Sequence, residues 1–168
     1  MANNEARPTD RALVADLLAK YDRPGPRYTS YPTAIEFDDS MNAVVYEDIL
    51  AKANERADDP LSVYMHLPFC EERCLFCGCH VIISPHKEKA VPYVGMIEAE
   101  IDMLAKRLPD RRKISQLHLG GGTPTYQTPK QLDRLLTRFF GHFERTADAE
   151  LAIEVDPRVT TAEHIDVL

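Results

Sequence analysis

Four cysteines lie close together in the sequence, at Cys70, Cys74, Cys77 and Cys79, and the chain contains no others. Three thiolates on one loop, spaced by four and then three residues, can hold three corners of an iron–sulfur cube. The fourth iron would then lack a ligand from this triplet and could bind a substrate or a cofactor. The spacing therefore predicts a cluster with one open coordination position.

Zinc is the main alternative occupant of this loop. A structural zinc site usually takes its ligands from two separated pairs, and the sequence has no second cysteine pair. A site of three cysteines and one histidine, using His80 or His66, stays open. Secreted domains spread their cysteines to link distant segments. The crowding here, behind an N-terminus without an export signal, favours metal binding in a reducing compartment, and we expect a cytoplasmic protein.

A run of glycines forms a second candidate site, in the segment Gly120-Gly121-Gly122-Thr123-Pro124-Thr125. Consecutive glycines let the backbone approach a ligand closely and expose its N–H donors. The run matches neither the GxGxxG dinucleotide motif nor the GxxxxGK[ST] phosphate loop. Neither nicotinamide nor P-loop chemistry is therefore indicated.

The elements that must position these residues alternate from Pro60 onward. The pattern predicts strands at 61–67, 114–119 and 150–156, and helices at about 89–107, at about 129–143 and from 161. Alternating strands and helices indicate right-handed βαβ units around a parallel sheet.

Each predicted strand carries polar and apolar residues in alternation, whereas a parallel strand covered on both faces is apolar almost throughout. Apolar sides that meet the helices would leave the polar sides facing a common interior. The pattern thus favours a barrel or half-barrel that encloses a polar ligand over an ordinary sheet with one solvent-exposed face. The polar positions are Ser62, Tyr64 and His66, then Gln116 and His118, then Glu150, Glu154 and Asp156.

The N-terminal part is organised differently. A helix is predicted from Thr9 or Asp10 to about Lys20, and a second one at about 42–56. Between them, the segment from Tyr21 to Pro32 contains three prolines, one glycine and three tyrosines. The prolines exclude regular structure, and the tyrosines favour an ordered extended arm over a flexible linker. We therefore predict two parts, 1–59 and 60–168.

The charge and hydropathy of the chain limit the kinds of partner that it is expected to bind. The net charge is −7 over 168 residues, which argues against broad nucleic-acid binding, since a surface that follows phosphates needs an excess of Lys and Arg. No apolar run approaches the ~20 residues that a transmembrane helix needs. We expect neither a nucleic-acid partner nor a membrane span.

The motif CxxxCxxC after the first strand, with Phe76 before the third cysteine, resembles the signature of the radical S-adenosylmethionine (SAM) superfamily. The resemblance implies that Cys70, Cys74 and Cys77 ligate a [4Fe-4S] cluster whose open iron chelates SAM. Reductive cleavage of SAM then yields a 5′-deoxyadenosyl radical, which abstracts hydrogen from the substrate. The protein's part is to position the reactants, exclude water and tune the cluster.

Cys79 narrows the motif to CxxxCxFCxC, which resembles the oxygen-independent coproporphyrinogen III oxidases of haem biosynthesis. The same family is resembled by three further segments: the string GGGTPT, the residues around Glu154 and the N-terminal string PGPRYTSYPTA. The resemblance implies an oxidoreductase that decarboxylates two propionates of coproporphyrinogen III to give protoporphyrinogen IX. A non-catalytic haem-chaperone relative, which lacks the fourth cysteine, is one alternative, and a zinc-bearing binding module is another.

The same resemblance implies roles for individual residues. Cys79 and Arg27 are the catalytic candidates, with Cys79 important but not a ligand of the cluster and Arg27 a partner for a carboxylate. Contacts to SAM are implied for Tyr64, Phe76, Gly121, Gly122, Thr123 and Glu154. The expected partners are coproporphyrinogen III and a low-potential electron donor such as a flavodoxin or ferredoxin, with the protein a monomer.

Three strands make about half of the partial (β/α) barrel that such enzymes use. We therefore expect an α/β chain holding the first three βα units of a radical SAM barrel, preceded by the helical and extended arm. The initial Met and the N-terminal arm suggest that the C-terminal half of the barrel and a C-terminal domain are absent. Alone, these residues should be catalytically inactive.

Overall fold

The computed structural model of the chain describes residues 8–22 and 33–168. The chain divides into two compact units, Met1–Met41 and Asn42–Leu168. In the first unit, helix α1 spans Pro8–Tyr21, and the helix predicted there is confirmed. A short 3-10 helix follows at Ala34–Glu36. Most of the predicted extended arm, including Arg27, lies outside the described residues and stays a prediction.

The second unit contains a parallel sheet in which β4 lies between β1 and β5. The predicted α/β class and the parallel sheet are confirmed, and within residues 42–168 the three main strands form an open sheet rather than a closed barrel. A separate parallel pair is formed by β2 and β3. The elements are α2 (Ala43–Asn54), β1 (Leu61–Leu67), β2 (Phe69–Cys70), β3 (Ile82–Ile83), α3 (Ala90–Arg107), β4 (Lys113–Gly121), α4 (Pro129–Phe140), β5 (Glu144–Ile153) and α5 (Ala162–Val167).

Two helices begin where side chains satisfy their first N–H groups. The Asn42 side chain accepts from the N–H groups of Val44 and Val45 at the start of α2. At α4, Thr128 and Gln131 form a capping box, and Pro129 occupies the first turn, where its missing N–H costs nothing. Capping of this kind fixes the direction in which each helix leaves its loop.

The core lies between the sheet and helices α3 and α4. Alternate residues of β1, and of β4 after its irregularity between Ile114 and Gln116, are buried, including Leu67, Leu117 and Leu119, and each such side chain contributes about 1.5–3 kcal/mol when fully buried. They pack against buried residues of α3 and α4 such as Ile101 and Leu135. The polar residues of both strands lie on the opposite face. This confirms the predicted alternation for β1 and β4 and leaves that face free for a site.

The third strand differs from its prediction. It was expected at 150–156, but β5 begins six residues earlier and ends at Ile153. Its first half, with Ala147, Asp148 and Ala149, is poor in the β-branched and aromatic residues that mark strands. Leu151 and Val155, expected to meet the helices, are 43% and 50% exposed. Because β5 is an edge of the described sheet, these side chains lack the cover that β4 receives.

Ion pairs join the outer faces of α3 and α4. Arg138 and His142 both bond the carboxylate of Asp102, and Arg134 donates to Glu98. Hydrogen bonds from Arg138 and then His142 lower the pKa of Asp102 to about 2. Asp102 therefore stays charged at neutral pH and links the two helices that cover the sheet.

The C-terminal end of helix α2 is hydrogen-bonded to the segment between α3 and β4. The Asn54 side chain accepts from the N–H of Asp110 and donates to its carboxylate, while Arg111 donates to the carbonyls of Ala53 and Asp59. These bonds explain why the compact unit begins at Asn42. The predicted division between residues 59 and 60 stays a prediction about the domains.

Across residues 8–22 and 33–168, no helix combines the length and apolar character needed to cross a bilayer.

Candidate functional site

A pocket of about 360 Å³ lies where β1, β4 and β5 end. In open parallel sheets, ligands bind outside the carboxyl ends of the strands. The cysteine loop follows β1, the glycine run closes β4, and Glu154 follows β5, so the three candidate segments meet here. The lining residues are Cys70, Cys74, Phe76, Cys77, Gly78, Cys79, Val81, Gly121, Gly122, Thr123, Glu154, Val155, Asp156, Pro157 and Arg158.

The ends of the cysteine loop are held by the short pair β2–β3. Ile82 donates its N–H to the Pro68 carbonyl at 2.8 Å, and Ser84 donates to the Cys70 carbonyl at 2.9 Å. The sulfur of Cys70 lies 3.4 Å from the hydroxyl oxygen of Thr123, in the glycine run. The first cysteine is therefore fixed relative to the end of β4.

The four thiols share the pocket but do not converge on one point. Cys70 and Cys77 are partly buried, whereas Cys74 and Cys79 are exposed. In the part of the chain that the structure describes, no three His, Cys, Asp or Glu side chains are gathered to hold a metal ion. The nearby Cys77 is the main cause of a raised pKa at the Cys79 thiol. Neighbouring thiolates thus repel each other here, and a bound metal would offset that repulsion.

Phe76 is fully exposed at the tip of the loop, although it lines the pocket. Tyr64 is not among the lining residues and lies beside them, on the polar face of β1. Burial, followed by the charge of Glu154, raises the pKa of the Tyr64 hydroxyl, so this group is neutral at physiological pH. Of the predicted site residues, Arg27 alone lies outside the described part.

The glycine run packs against the start of the cysteine loop. Gly121 has a φ of 116°, a conformation that residues with a Cβ rarely adopt. A Cβ on Gly122 would lie 2.6 Å from the carbonyl oxygen of Pro68 and 2.8 Å from that of Phe69. Gly122 also donates its N–H to the Leu67 carbonyl at 2.9 Å. The run therefore allows a backbone-to-backbone contact that seats the cysteine loop.

Replacing Gly122 with alanine in the full-length protein should destabilise it by about 1–3 kcal/mol, the usual cost of overpacking. The atoms in the way are backbone carbonyls, which cannot rotate aside, so the cysteine loop must shift. We also expect reduced iron retention after reconstitution. Urea unfolding and iron analysis measure both effects.

Gly95→Ala is the matched control. Among the described residues outside its own part of the helix, none has an atom within 4 Å of a Cβ at Gly95. Gly95 lies on an exposed turn of α3, so the change should stabilise the protein by about 0.5–1 kcal/mol. Equal unfolding midpoints for the Gly122 and Gly95 variants would contradict the packing argument.

Glu154 is held by the strand beside it. Its backbone N–H donates to the Leu119 carbonyl at 2.9 Å, which continues the β4–β5 ladder one step beyond Ile153. Its side-chain oxygen Oε2 accepts the N–H of Gly121 at 3.2 Å, and Oε1 lies 3.4 Å from His118 Nε2. The Glu154 side chain is half exposed, and the residue lines the pocket.

Arg158 lines the pocket and was not predicted from the sequence. Its guanidinium bonds the Asp156 carboxylate through two nitrogens and lies 3.6 Å from Glu72 on the cysteine loop. The sequence Asp156-Pro-Arg158 is the one local pattern that could have indicated this position, because an aspartate side chain readily accepts the backbone N–H two residues later. Arg158 thus connects the segment after β5 to the cysteine loop.

Comparisons with known proteins found similar sequences and a similar solved structure. Residues 64–168 match the radical SAM superfamily. The oxygen-independent coproporphyrinogen III oxidase of Salmonella typhimurium is 45% identical over 152 residues, which cover 90% of this chain and 32% of that protein. The protein of the same name from Mannheimia haemolytica is 43% identical, over 84% of this chain and 94% of that sequence.

A solved structure, coproporphyrinogen III oxidase (HemN) from Escherichia coli, described as a radical SAM enzyme, matches with a TM-score of 0.76 at 42% identity. The match covers 90% of this chain and 32% of that one. The chain thus spans about a third of the length of the Salmonella typhimurium and Escherichia coli proteins.

Proposed function

Because this chain belongs to the radical SAM superfamily and, within it, to the oxygen-independent coproporphyrinogen III oxidases, we propose that the whole protein is an oxidoreductase of haem biosynthesis. It would convert two propionate side chains of coproporphyrinogen III to vinyl groups with loss of carbon dioxide, giving protoporphyrinogen IX. One observation carries the proposal: a single pocket is lined by Cys70, Cys74, Cys77 and Cys79 together with the glycine run and Glu154.

The donor set of the pocket fits a [4Fe-4S] cluster, since cysteine thiolates are its usual ligands. Cys70, Cys74 and Cys77 are the proposed ligands. Their open arrangement is compatible with this role, because metal binding and the ordering of a ligand loop are commonly coupled. When bound, the cluster and SAM supply the 5′-deoxyadenosyl radical that removes a hydrogen atom from the substrate.

The other residues of the pocket bind and orient SAM. Glu154 accepts hydrogen bonds from the ammonium group of its methionine part, and Gly121, Gly122 and Thr123 line the approach to it. Phe76 contacts the cofactor from the cysteine loop, and Tyr64, which lies beside the pocket lining, does so from β1. Closing the pocket against water strengthens each of these contacts.

Two residues are proposed to act on the substrate. Cys79 lines the pocket near Cys77 and is not one of the proposed cluster ligands. It would contribute a thiol to the reaction. Arg27 would pair with a carboxylate of SAM or of a substrate propionate through its two parallel N–H donors. Further parts of the proposal are a flavodoxin or ferredoxin as electron donor, a monomeric state and a cytoplasmic location, where thiols stay reduced.

The test uses the full-length protein, reconstituted with iron and sulfide without oxygen and supplied with SAM, a strong reductant and coproporphyrinogen III. We expect protoporphyrinogen IX together with methionine and 5′-deoxyadenosine, and no product when SAM is omitted. If the protein binds haem tightly but does not convert coproporphyrinogen III, it is a haem-handling protein and the proposal is wrong. If metal analysis finds zinc instead of iron and sulfide, the protein is a zinc-bearing binding module.

A further inference from the structure

Three polar side chains converge over Gly120 at the end of β4. A Cβ placed on Gly120 would lie 2.9 Å from the Tyr64 ring, 3.0 Å from Glu154 Oε1 and 3.0 Å from His118 Nε2. They come from three different strands or strand ends. His118 stands between the other two, and the proposed function gives it no role.

His118 contacts both neighbours. Its ring stacks on Tyr64, with centroids 5.8 Å apart and planes inclined by 20°, and the two residues are register partners across β1 and β4. On its other side, His118 Nε2 lies 3.4 Å from Glu154 Oε1. A carboxylate only accepts hydrogen bonds, so Nε2 is the nitrogen that carries hydrogen in this contact.

The carboxylate of Glu154 is thereby held at both oxygens. Gly121 donates to Oε2 and His118 to Oε1, yet a carboxylate offers about four lone-pair sites. Glu154 lines the pocket and its side chain is half exposed, so the remaining sites are available to a ligand bound there. The register also leaves room for this arrangement, because the β5 partner of His118 is the small Ala152. Glu154 follows two residues later, on the same face.

We propose that His118 is a positioning residue for SAM binding. Its Nε2–H fixes the direction of the Glu154 carboxylate, so that the free lone pairs meet an ammonium group of the ligand. Its ring supports the ring of Tyr64 beside them. This inference rests on the proposed function and adds a determinant of cofactor affinity that touches neither iron nor porphyrin.

The experiment measures the dissociation constant of SAM by anaerobic equilibrium dialysis on the full-length, reconstituted protein. His118→Phe keeps a ring against Tyr64 and removes the donor, whereas His118→Gln keeps an N–H at a similar reach and removes the ring. We expect the phenylalanine variant to bind SAM about tenfold more weakly, as for loss of a hydrogen bond to a charged group. The glutamine variant should recover most of that loss, with iron content unchanged in both.

Gln116→Ala is the matched control, since Gln116 lies on the same face of β4 and contacts Ser62 rather than Glu154. Its SAM affinity should equal that of the unaltered protein. Unchanged affinity in His118→Phe overturns the inference, as does equal weakening in the phenylalanine and glutamine variants. Loss of iron from both His118 variants also overturns it, because the residue would then be structural. The SAM dissociation constant is measured without porphyrin. The role of His118 can therefore be judged even if the protein fails to convert coproporphyrinogen III.

Discussion

Alanine at Cys70, Cys74 or Cys77 in the full-length protein should abolish cluster retention and all SAM cleavage. Each thiolate is proposed to hold one iron, and two remaining protein ligands cannot keep a cube that is also open at its fourth iron. The unaltered protein should retain about four irons per chain after anaerobic reconstitution, as expected for a [4Fe-4S] cluster. Iron and sulfide analysis, together with the visible absorbance of the cluster, measures the loss.

Cys79→Ala provides the control within the same loop. Cys79 lies two residues from Cys77 and lines the same pocket, so a general effect of removing a thiol there would appear in this variant too. We expect it to keep its iron and to lose conversion of coproporphyrinogen III. An iron-free Cys79 variant beside an iron-bearing Cys70 variant would overturn the ligand assignment.

The central elements of the fold could be predicted because their sequence patterns are local. β1 and β4 alternate polar and apolar residues, and α4 opens with Thr128 and Pro129, a recognisable helix start. The sequence predicts β5 only from residue 150, whereas the strand begins at Glu144, because its first half is held by pairing with β4 rather than by its own propensity. Its register begins with Lys113 opposite Glu144 and shifts after Ile114, which no local pattern encodes.

The candidate site was predicted less completely than the sheet. The sequence motifs pointed to the cysteines, the glycine run and Glu154, and the structure brings these into one pocket. The sequence places His118 only on a polar face, because its contact with Glu154 depends on where the chain returns 36 residues later. Arg158 was not recognised either, since its contact with Glu72 joins two loops far apart in sequence. Contacts between strand ends become visible only once the sheet order is known.

Glu154→Ala should weaken SAM binding by about 10- to 100-fold in the full-length, reconstituted protein, since losing a hydrogen bond to a charged group costs roughly 1.5–3 kcal/mol. The change removes a charged acceptor from the lining of the pocket. It also leaves the N–H of Gly121 and the Nε2–H of His118 without their partner. The cysteines are untouched, so iron content should stay the same. Anaerobic equilibrium dialysis with SAM gives the affinity, and iron analysis confirms that the cluster is present.

Glu150→Ala is the matched control, because it removes the same charge from β5. Glu150 is exposed and pairs in register with Gln116, away from the pocket, so SAM affinity should change less than about twofold, the range of screened surface charges. A Glu154 variant that binds SAM as tightly as the Glu150 variant would show that the carboxylate is structural. The SAM site would then have to be sought elsewhere around the pocket, even with the cluster assignment intact.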